Sequence, residues 1–121
     1  MIEMNKRDKI KIQRRCKDMA SNFSCKKINN KDLFEFGKAL QNARNELNKA
    51  EYLAQKMFYK SKDEYKIIEE LLVLIEEYRN HMDNKPVEIM LPKADSRILN
   101  NVFYGGDYTE DSYIVDFLEN K

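Results

Sequence analysis

One histidine, two cysteines and several adjacent acidic pairs are the residues with the most chemical capacity in this 121-residue chain. Beside a base such as His81, the thiol of Cys16 or Cys25 would act as a nucleophile. These three residues fall short of the four nitrogen or sulfur ligands that a structural zinc ion takes. Acidic pairs such as Glu76 and Glu77 are typical of the solvated side of a helix, whereas acid–base catalysis needs two carboxyls in a cleft. We therefore expect a protein that is not an enzyme and that binds no metal or cofactor.

A dense basic segment near the start of the chain is the strongest positive signal. Lysine and arginine can lie along the phosphates of a nucleic acid and release bound counterions, so their binding would be salt-sensitive and nearly independent of sequence. An acidic protein surface would attract the same charges. The candidate residues are Lys6, Arg7, Lys9, Lys11, Arg14, Arg15, Lys17, Lys26 and Lys27.

An acidic, tyrosine-rich segment near the end of the chain is the second signal. Tyrosine gives a large contact area at a low entropic cost and is enriched at protein interfaces. Carboxylates beside it would suit a basic groove on a partner protein. The predicted partner-binding residues are Tyr104, Asp107, Tyr108, Glu110 and Asp111.

The charges form a gradient along the chain, although the net charge is only +1. Residues 1–31 contain ten lysines and arginines and three acids, whereas residues 61–81 contain three and six, and residues 82–121 four and eight. Opposite ends of this kind can attract each other within the molecule or each meet a separate partner. The sequence leaves both possibilities open.

The elements that carry these residues are predicted to be helical. Three glycines and two prolines give little material for hairpin turns and argue against an all-β fold. A basic first helix is predicted over 5–23, because Ile12, Cys16, Met19, Ala20 and Phe23 recur at steps that place them on one face. A loop is expected from there to residue 31.

An apolar series with alternating steps of three and four runs from Leu33 to Met82. This spacing is what a coiled coil requires, so residues 32–82 form either one long helix that pairs in a homodimer or a helical hairpin. The hairpin, in which the chain folds back near residues 59–61, is preferred because the series fails at Ser61 and Glu64, which also form a capping box. Asp32 is the expected cap of the first hairpin helix.

The segment 95–119 is predicted to hold two short helices. Residues 87–92 follow Pro86 and end at Pro92, and they are expected to be an extended linker or one edge strand. Asp95 is the expected cap of the next helix, and Gly105 and Gly106 are expected to end it in a left-handed conformation. Thr109 is the expected cap of the last helix. The fold class is thus all-α, with about five helices in a single domain over 1–121.

These features predict a small non-catalytic protein that docks on a partner protein, such as a nucleic-acid-handling enzyme, and regulates or inhibits it. The alternative is a sequence-nonspecific nucleic-acid-binding regulator that uses the basic first helix. The lysine- and asparagine-rich composition suits an accessory protein of a phage or mobile element. This comparison is an analogy and not a match to a family. The longest apolar run, Leu71–Ile75, is far too short to span a membrane. Two cysteines do not make a disulfide framework, so we expect a cytoplasmic protein.

Overall fold

The computed structural model describes residues 23–119, and every regular element in this range is helical. The all-α prediction is therefore confirmed for the described part of the chain. Of the basic helix predicted over 5–23, only Phe23 is described, and its backbone is irregular; the remainder lies outside the described residues. In chain order the elements are α1 (Asn30–Met57), α2 (Asp63–Met82), α3 (Lys85–Met90), α4 (Ser96–Tyr104), a 3₁₀ turn (Tyr108–Glu110) and α5 (Ser112–Glu119).

Helices α1 and α2 form an antiparallel hairpin, so the long-helix alternative is wrong. The backbone leaves the helix at Phe58, which adopts an extended conformation. The Lys62 amide donates to the Tyr59 carbonyl at 3.0 Å, which closes the turn. The predicted reversal near residues 59–61 is thus confirmed, without any glycine or proline. A homodimer, which the long helix would have required, stays a prediction.

Two predicted helix caps of the hairpin are wrong. The side chain of Asn29 accepts a hydrogen bond from the Lys31 amide at 2.8 Å, so α1 begins two residues before Asp32. Asparagine at this position satisfies one of the free amides of the first turn. Ser61 lies within the connecting turn, and the cap position of α2 is Lys62, whose side chain makes no capping bond.

The expected extended linker after the hairpin is instead α3. Pro86 occupies the second position of this short helix, where its fixed φ is suitable and a missing amide costs nothing. Pro86, Val87 and Leu91 are buried. Proline thus starts a helix here, where it was expected to prevent one.

Asp95 caps α4 as predicted, accepting from the Ile98 amide at 3.0 Å. Gly105 ends α4, but its φ is −81°, so the expected left-handed ending is wrong. A Cβ atom at Gly105 would lie 2.6 Å from the backbone carbonyl oxygen of Asn101. Glycine is required here by this close approach and not by the handedness of the backbone.

The predicted cap of the last helix is also wrong. Thr109 lies in the 3₁₀ turn, where its amide and hydroxyl donate to Oδ1 of Asp107 at 3.0 and 2.6 Å. Asp111 instead caps α5, since its Oδ1 accepts from the amides of Tyr113 and Ile114. Asp111, two positions after Thr109, therefore caps the last helix.

The hydrophobic core lies at one end of the hairpin, which we call the closed end. There α3, α4 and α5 pack against the first half of α1 and the last turn of α2. The backbones of α1 and α4 come so close that a Cβ atom at Gly37 would lie 1.8 Å from the Val102 carbonyl oxygen. The largest fully buried side chains are Phe34, Phe103, Ile98, Ile114, Val87 and Pro86.

Candidate partner-binding surfaces

The basic candidates are described only in part. Lys26 and Lys27 are exposed in the irregular segment before α1. The other seven, from Lys6 to Lys17, lie outside the described residues. Their proposed contact with nucleic acid or an acidic surface therefore stays a prediction.

Two aspartates of the acidic segment make intramolecular contacts. Asp107 caps the 3₁₀ turn and lies 3.7 Å from Nζ of Lys38 on α1. The hydrogen bonds from Thr109 hold the pKa of Asp107 below its usual value. Asp111 caps α5 and lies 3.6 Å from Nη2 of Arg97. Both carboxylates thus stabilise the closed end, whatever else they bind.

Tyr108 belongs to the core, although the sequence placed it in a partner-binding set. Its ring lies 5.4 Å from that of Phe34, and its hydroxyl donates to Oε1 of Glu35 at 2.6 Å. This hydrogen bond, together with burial, raises the pKa of Tyr108 to about 12. The side chain is therefore not available to a partner unless the closed end opens.

Tyr104 is 40% exposed, and its ring covers the buried side chain of Arg79. The guanidinium of Arg79 donates to Oε1 of Glu76 and to the Phe103 carbonyl, both at 2.7 Å. The Cζ carbon of Arg79 lies 4.3 Å from the centre of the Tyr104 ring, which makes a cation–π contact. The Tyr104 hydroxyl donates to Asn80, and burial raises its pKa. Among the predicted acidic-segment residues, only Tyr104 and Glu110 are exposed without a described helix-capping or core role.

The polar residues at the end of α2 do not form a recognisable reactive site in the described part of the chain. His81 is buried, and no described residue forms a hydrogen bond with its Nε2; the same is true of Arg79 Nε and Asp83 Oδ1. Desolvation raises the pKa of Asp83, and the charge of Arg79 opposes that shift. Over residues 23–119, no group of three or more His, Cys, Asp or Glu is placed to hold a metal ion. That the protein is not an enzyme stays a prediction.

A surface that the sequence did not reveal lies at the other end of the hairpin. Five large apolar side chains are between 40% and 79% exposed there, and we call them the tip surface: Tyr52, Leu53, Met57, Phe58 and Tyr59. Charged residues of both signs lie beside them in the chain, of which Lys56 places its ammonium 4.5 Å from the centre of the Tyr52 ring. Lys60 and Lys62 are exposed in and beside the turn.

The tip surface is held on a fixed scaffold. Ala54 and Tyr65 are buried, and Nε2 of Gln55 on α1 donates to the Tyr65 hydroxyl on α2 at 3.3 Å. The series that predicted the hairpin runs through Ala50, Ala54 and Met57. Most of the tip side chains lie off this series, which is the signal that would have identified them as outward-facing.

Among the described residues, no helix has the length and apolar character needed to cross a membrane. Comparison with known proteins finds no match, whether among family models, curated proteins or solved structures.

Proposed function

We propose that this protein is a small helical binding protein that docks on a partner protein through its hairpin tip and thereby regulates or inhibits it. The observation that carries the proposal is the tip surface, where five large apolar side chains close together in the chain are each at least 40% exposed. Exposed apolar residues that occur singly need no explanation, but a contiguous group commonly marks an interaction site. Aromatic residues and methionine are enriched at such sites.

The chemistry of the tip defines the partner. Tyr59 and Met57 would enter an apolar groove, while Lys56, Lys60 and Lys62 would meet carboxylates on its rim. A few aromatic anchors carry most of the binding free energy in an interface, and truncating each one costs about 2 kcal/mol or more. Lysines at the rim would chiefly speed the encounter and make it depend on salt. The partner is thus a protein with an apolar groove and an acidic edge.

The hairpin suits this role because it presents the anchors on a pre-formed end. The Gln55–Tyr65 hydrogen bond and the buried Ala54 fix the two helices close to the turn. Little conformational entropy is then lost on binding, which favours affinity. The closed end lies about 30 Å away along α1, so the tip can enter a groove without disturbing the core.

The proposal is tested by photo-crosslinking in cells that produce the protein at its natural level. A photoreactive benzoylphenylalanine replaces Tyr59 in one variant and Tyr113, which is exposed at the closed end, in a matched control. We expect one cellular protein to crosslink to position 59 and not to position 113. The substitution Met57→Ser should reduce this product at least tenfold while leaving thermal stability unchanged.

Three results would contradict the proposal. One is equal crosslinking at both positions, which would indicate non-specific contact. The others are products that contain only a second copy of the chain or only lipid, which would make the tip a dimer or membrane contact. If the same product persists unchanged in a Lys56→Glu/Lys60→Glu variant, the partner has no acidic rim, but docking through the tip still stands.

The alternative function, sequence-nonspecific binding of nucleic acid, draws on the exposure of Lys26 and Lys27. These two lysines continue the basic segment that starts at Lys6. Affinity for a random DNA duplex and for single-stranded DNA should then fall steeply between two salt concentrations. The triple change Lys11→Glu, Arg14→Glu and Arg15→Glu should abolish binding, and unchanged binding would exclude this function.

A further inference from the structure

A cavity of about 420 Å³ lies at the closed end, where the start of α1, the 3₁₀ turn and α5 meet. Its volume falls within the range of about 300–1,000 Å³ that is usual for small-molecule sites. Such sites combine apolar walls with a few polar side chains that orient the ligand. The cavity is separate from the tip surface, which lies at the other end of the hairpin.

The lining of the cavity becomes more polar from its inner end to its mouth. Tyr108 is buried and forms the inner end, while Val115 and Leu118 on α5 are half-buried. Lys31 and Glu119 are exposed and therefore line the mouth. This order suits a small molecule whose apolar part points inward and whose charged groups remain in contact with water.

The inner end offers apolar surface to a ligand. The hydroxyl of Tyr108 donates to Oε1 of Glu35 at 2.6 Å, so the tyrosine contributes its ring to the cavity. Val115 and Leu118 add aliphatic side chains beside this ring. An aliphatic or aromatic group that enters here is removed from water, which favours its binding.

The mouth carries one charge of each sign. Lys31 lies in the first turn of α1, and Glu119 is the last residue of α5. Neither side chain forms an ion pair with the other or with any other residue of 23–119. A ligand with a single charge would be attracted by one of them and repelled by the other. A ligand that carries both charges close together can satisfy both side chains.

We propose that this cavity binds a free amino acid with an apolar side chain, in its zwitterionic form. The apolar side chain lies between Tyr108, Val115 and Leu118, the carboxylate meets Lys31, and the ammonium group meets Glu119. Because the cavity spans α1 and α5, the ligand links these two helices and stabilises the closed end. This proposal does not depend on the partner of the tip surface.

An NMR titration of the full-length protein tests the ligand chemistry without any substitution. The probes are L-leucine and L-phenylalanine, and we expect both to shift the amide resonances of the residues that line the cavity. L-Alanine should bind about tenfold more weakly than L-leucine, because it buries less apolar surface. N-acetyl-L-leucine lacks the ammonium group and L-leucinamide lacks the carboxylate. Each should bind about threefold more weakly than L-leucine, as expected for the loss of one exposed ion pair.

Two substitutions at the mouth assign each charge to its contact. Lys31→Gln should weaken L-leucine about threefold, but it should not weaken L-leucinamide, which has no carboxylate. Glu119→Gln should weaken L-leucine to a similar extent, but it should not weaken N-acetyl-L-leucine, which has no ammonium group. Lys60→Gln in the turn at the tip is the matched control and should leave every affinity unchanged.

Three results would overturn the proposal. One is that neither L-leucine nor L-phenylalanine shifts any resonance at millimolar concentration. Another is that the shifts are confined to residues away from the cavity. The third is equal binding of L-leucine and its two blocked forms, which would mean that the mouth does not recognise the two charges. Docking through the tip is tested separately by crosslinking at Tyr59, so none of these results bears on it.

Discussion

Both ends of the hairpin carry aromatic side chains, but these are buried at the closed end and exposed at the tip. At the closed end, Phe34 and Phe103 are at most 1% exposed, whereas at the tip Tyr59 is 79% exposed. The difference does not come from hydrophobicity, since both ends are rich in aromatic residues. It comes from the path of the chain after the hairpin, because α3, α4 and α5 return to the closed end only.

Gly37 allows the close packing of the covered end. The absence of a side chain at Gly37 lets the backbone of α4 approach α1, and this approach seats Phe103 in the core. No glycine occurs in the tip half of α1 or in the turn. Aromatic residues there stay exposed because none of α3, α4 and α5 packs over them. A hydrophobic core and a candidate binding surface can thus arise from similarly aromatic stretches of one chain.

Truncating a core aromatic should have the largest effect. Phe103→Ala removes a fully buried ring and leaves a cavity, so we expect a loss of about 4 kcal/mol in the free energy of unfolding. Tyr59→Ala at the tip should change it by less than about 0.5 kcal/mol. Urea titration with circular dichroism detection measures both. Similar losses would mean that the tip is also a structural core.

Adding one methyl group at Gly37 is the next largest change. The Cβ atom of Gly37→Ala would overlap the Val102 carbonyl oxygen, and overpacking of this kind costs about 1–3 kcal/mol. Gly106→Ala is the control, since no atom lies within 4 Å of the position its Cβ would take. If both variants unfold at the same urea concentration, the close approach of α1 and α4 does not set the stability of the closed end.

The hairpin could be predicted because its evidence is local and repeated. The apolar series and its failure at residues 61 and 64 lie within one continuous segment. Tyr108 could not be placed, since it packs on Phe34 and donates to Glu35, which lies 73 residues earlier in the chain. The tip surface escapes prediction for a different reason: a search for one apolar stripe discards the residues that fall beside it.

Errors at the helix ends arise because several residues could serve as the cap. Asn29 competes with Asp32, and Asp111 with Thr109, and each can accept from first-turn amides. The choice depends on which backbone path the core permits. Pro86 is equally ambiguous, because proline breaks the interior of a helix but suits its first turn.

The two corrected caps of the hairpin make a smaller, matched test. Asn29→Ala at the closed end removes the hydrogen bond to Lys31 and should cost about 1 kcal/mol. Ser61→Ala at the tip should cost less than about 0.3 kcal/mol, because Ser61 is not the cap of α2. Thermal unfolding of the two variants separates these outcomes. A larger loss at Ser61 would restore the predicted capping box.

The last prediction concerns the loss of stability at alkaline pH. In the folded protein Tyr108 keeps its proton up to a pKa of about 12, because its hydroxyl donates to the carboxylate of Glu35 at the closed end. In the unfolded chain tyrosine ionises near a pKa of about 10. The folded state therefore binds more protons between about pH 10 and 12, and the free energy of unfolding falls as the pH rises through this window.

Tyr108→Phe should remove this part of the decline, so its stability relative to wild type should improve from about pH 10 to 12. Lysines also titrate in this range, but they are common to both proteins and cancel in the difference. Parallel curves for wild type and Tyr108→Phe would mean that the Tyr108–Glu35 hydrogen bond does not hold the closed end together.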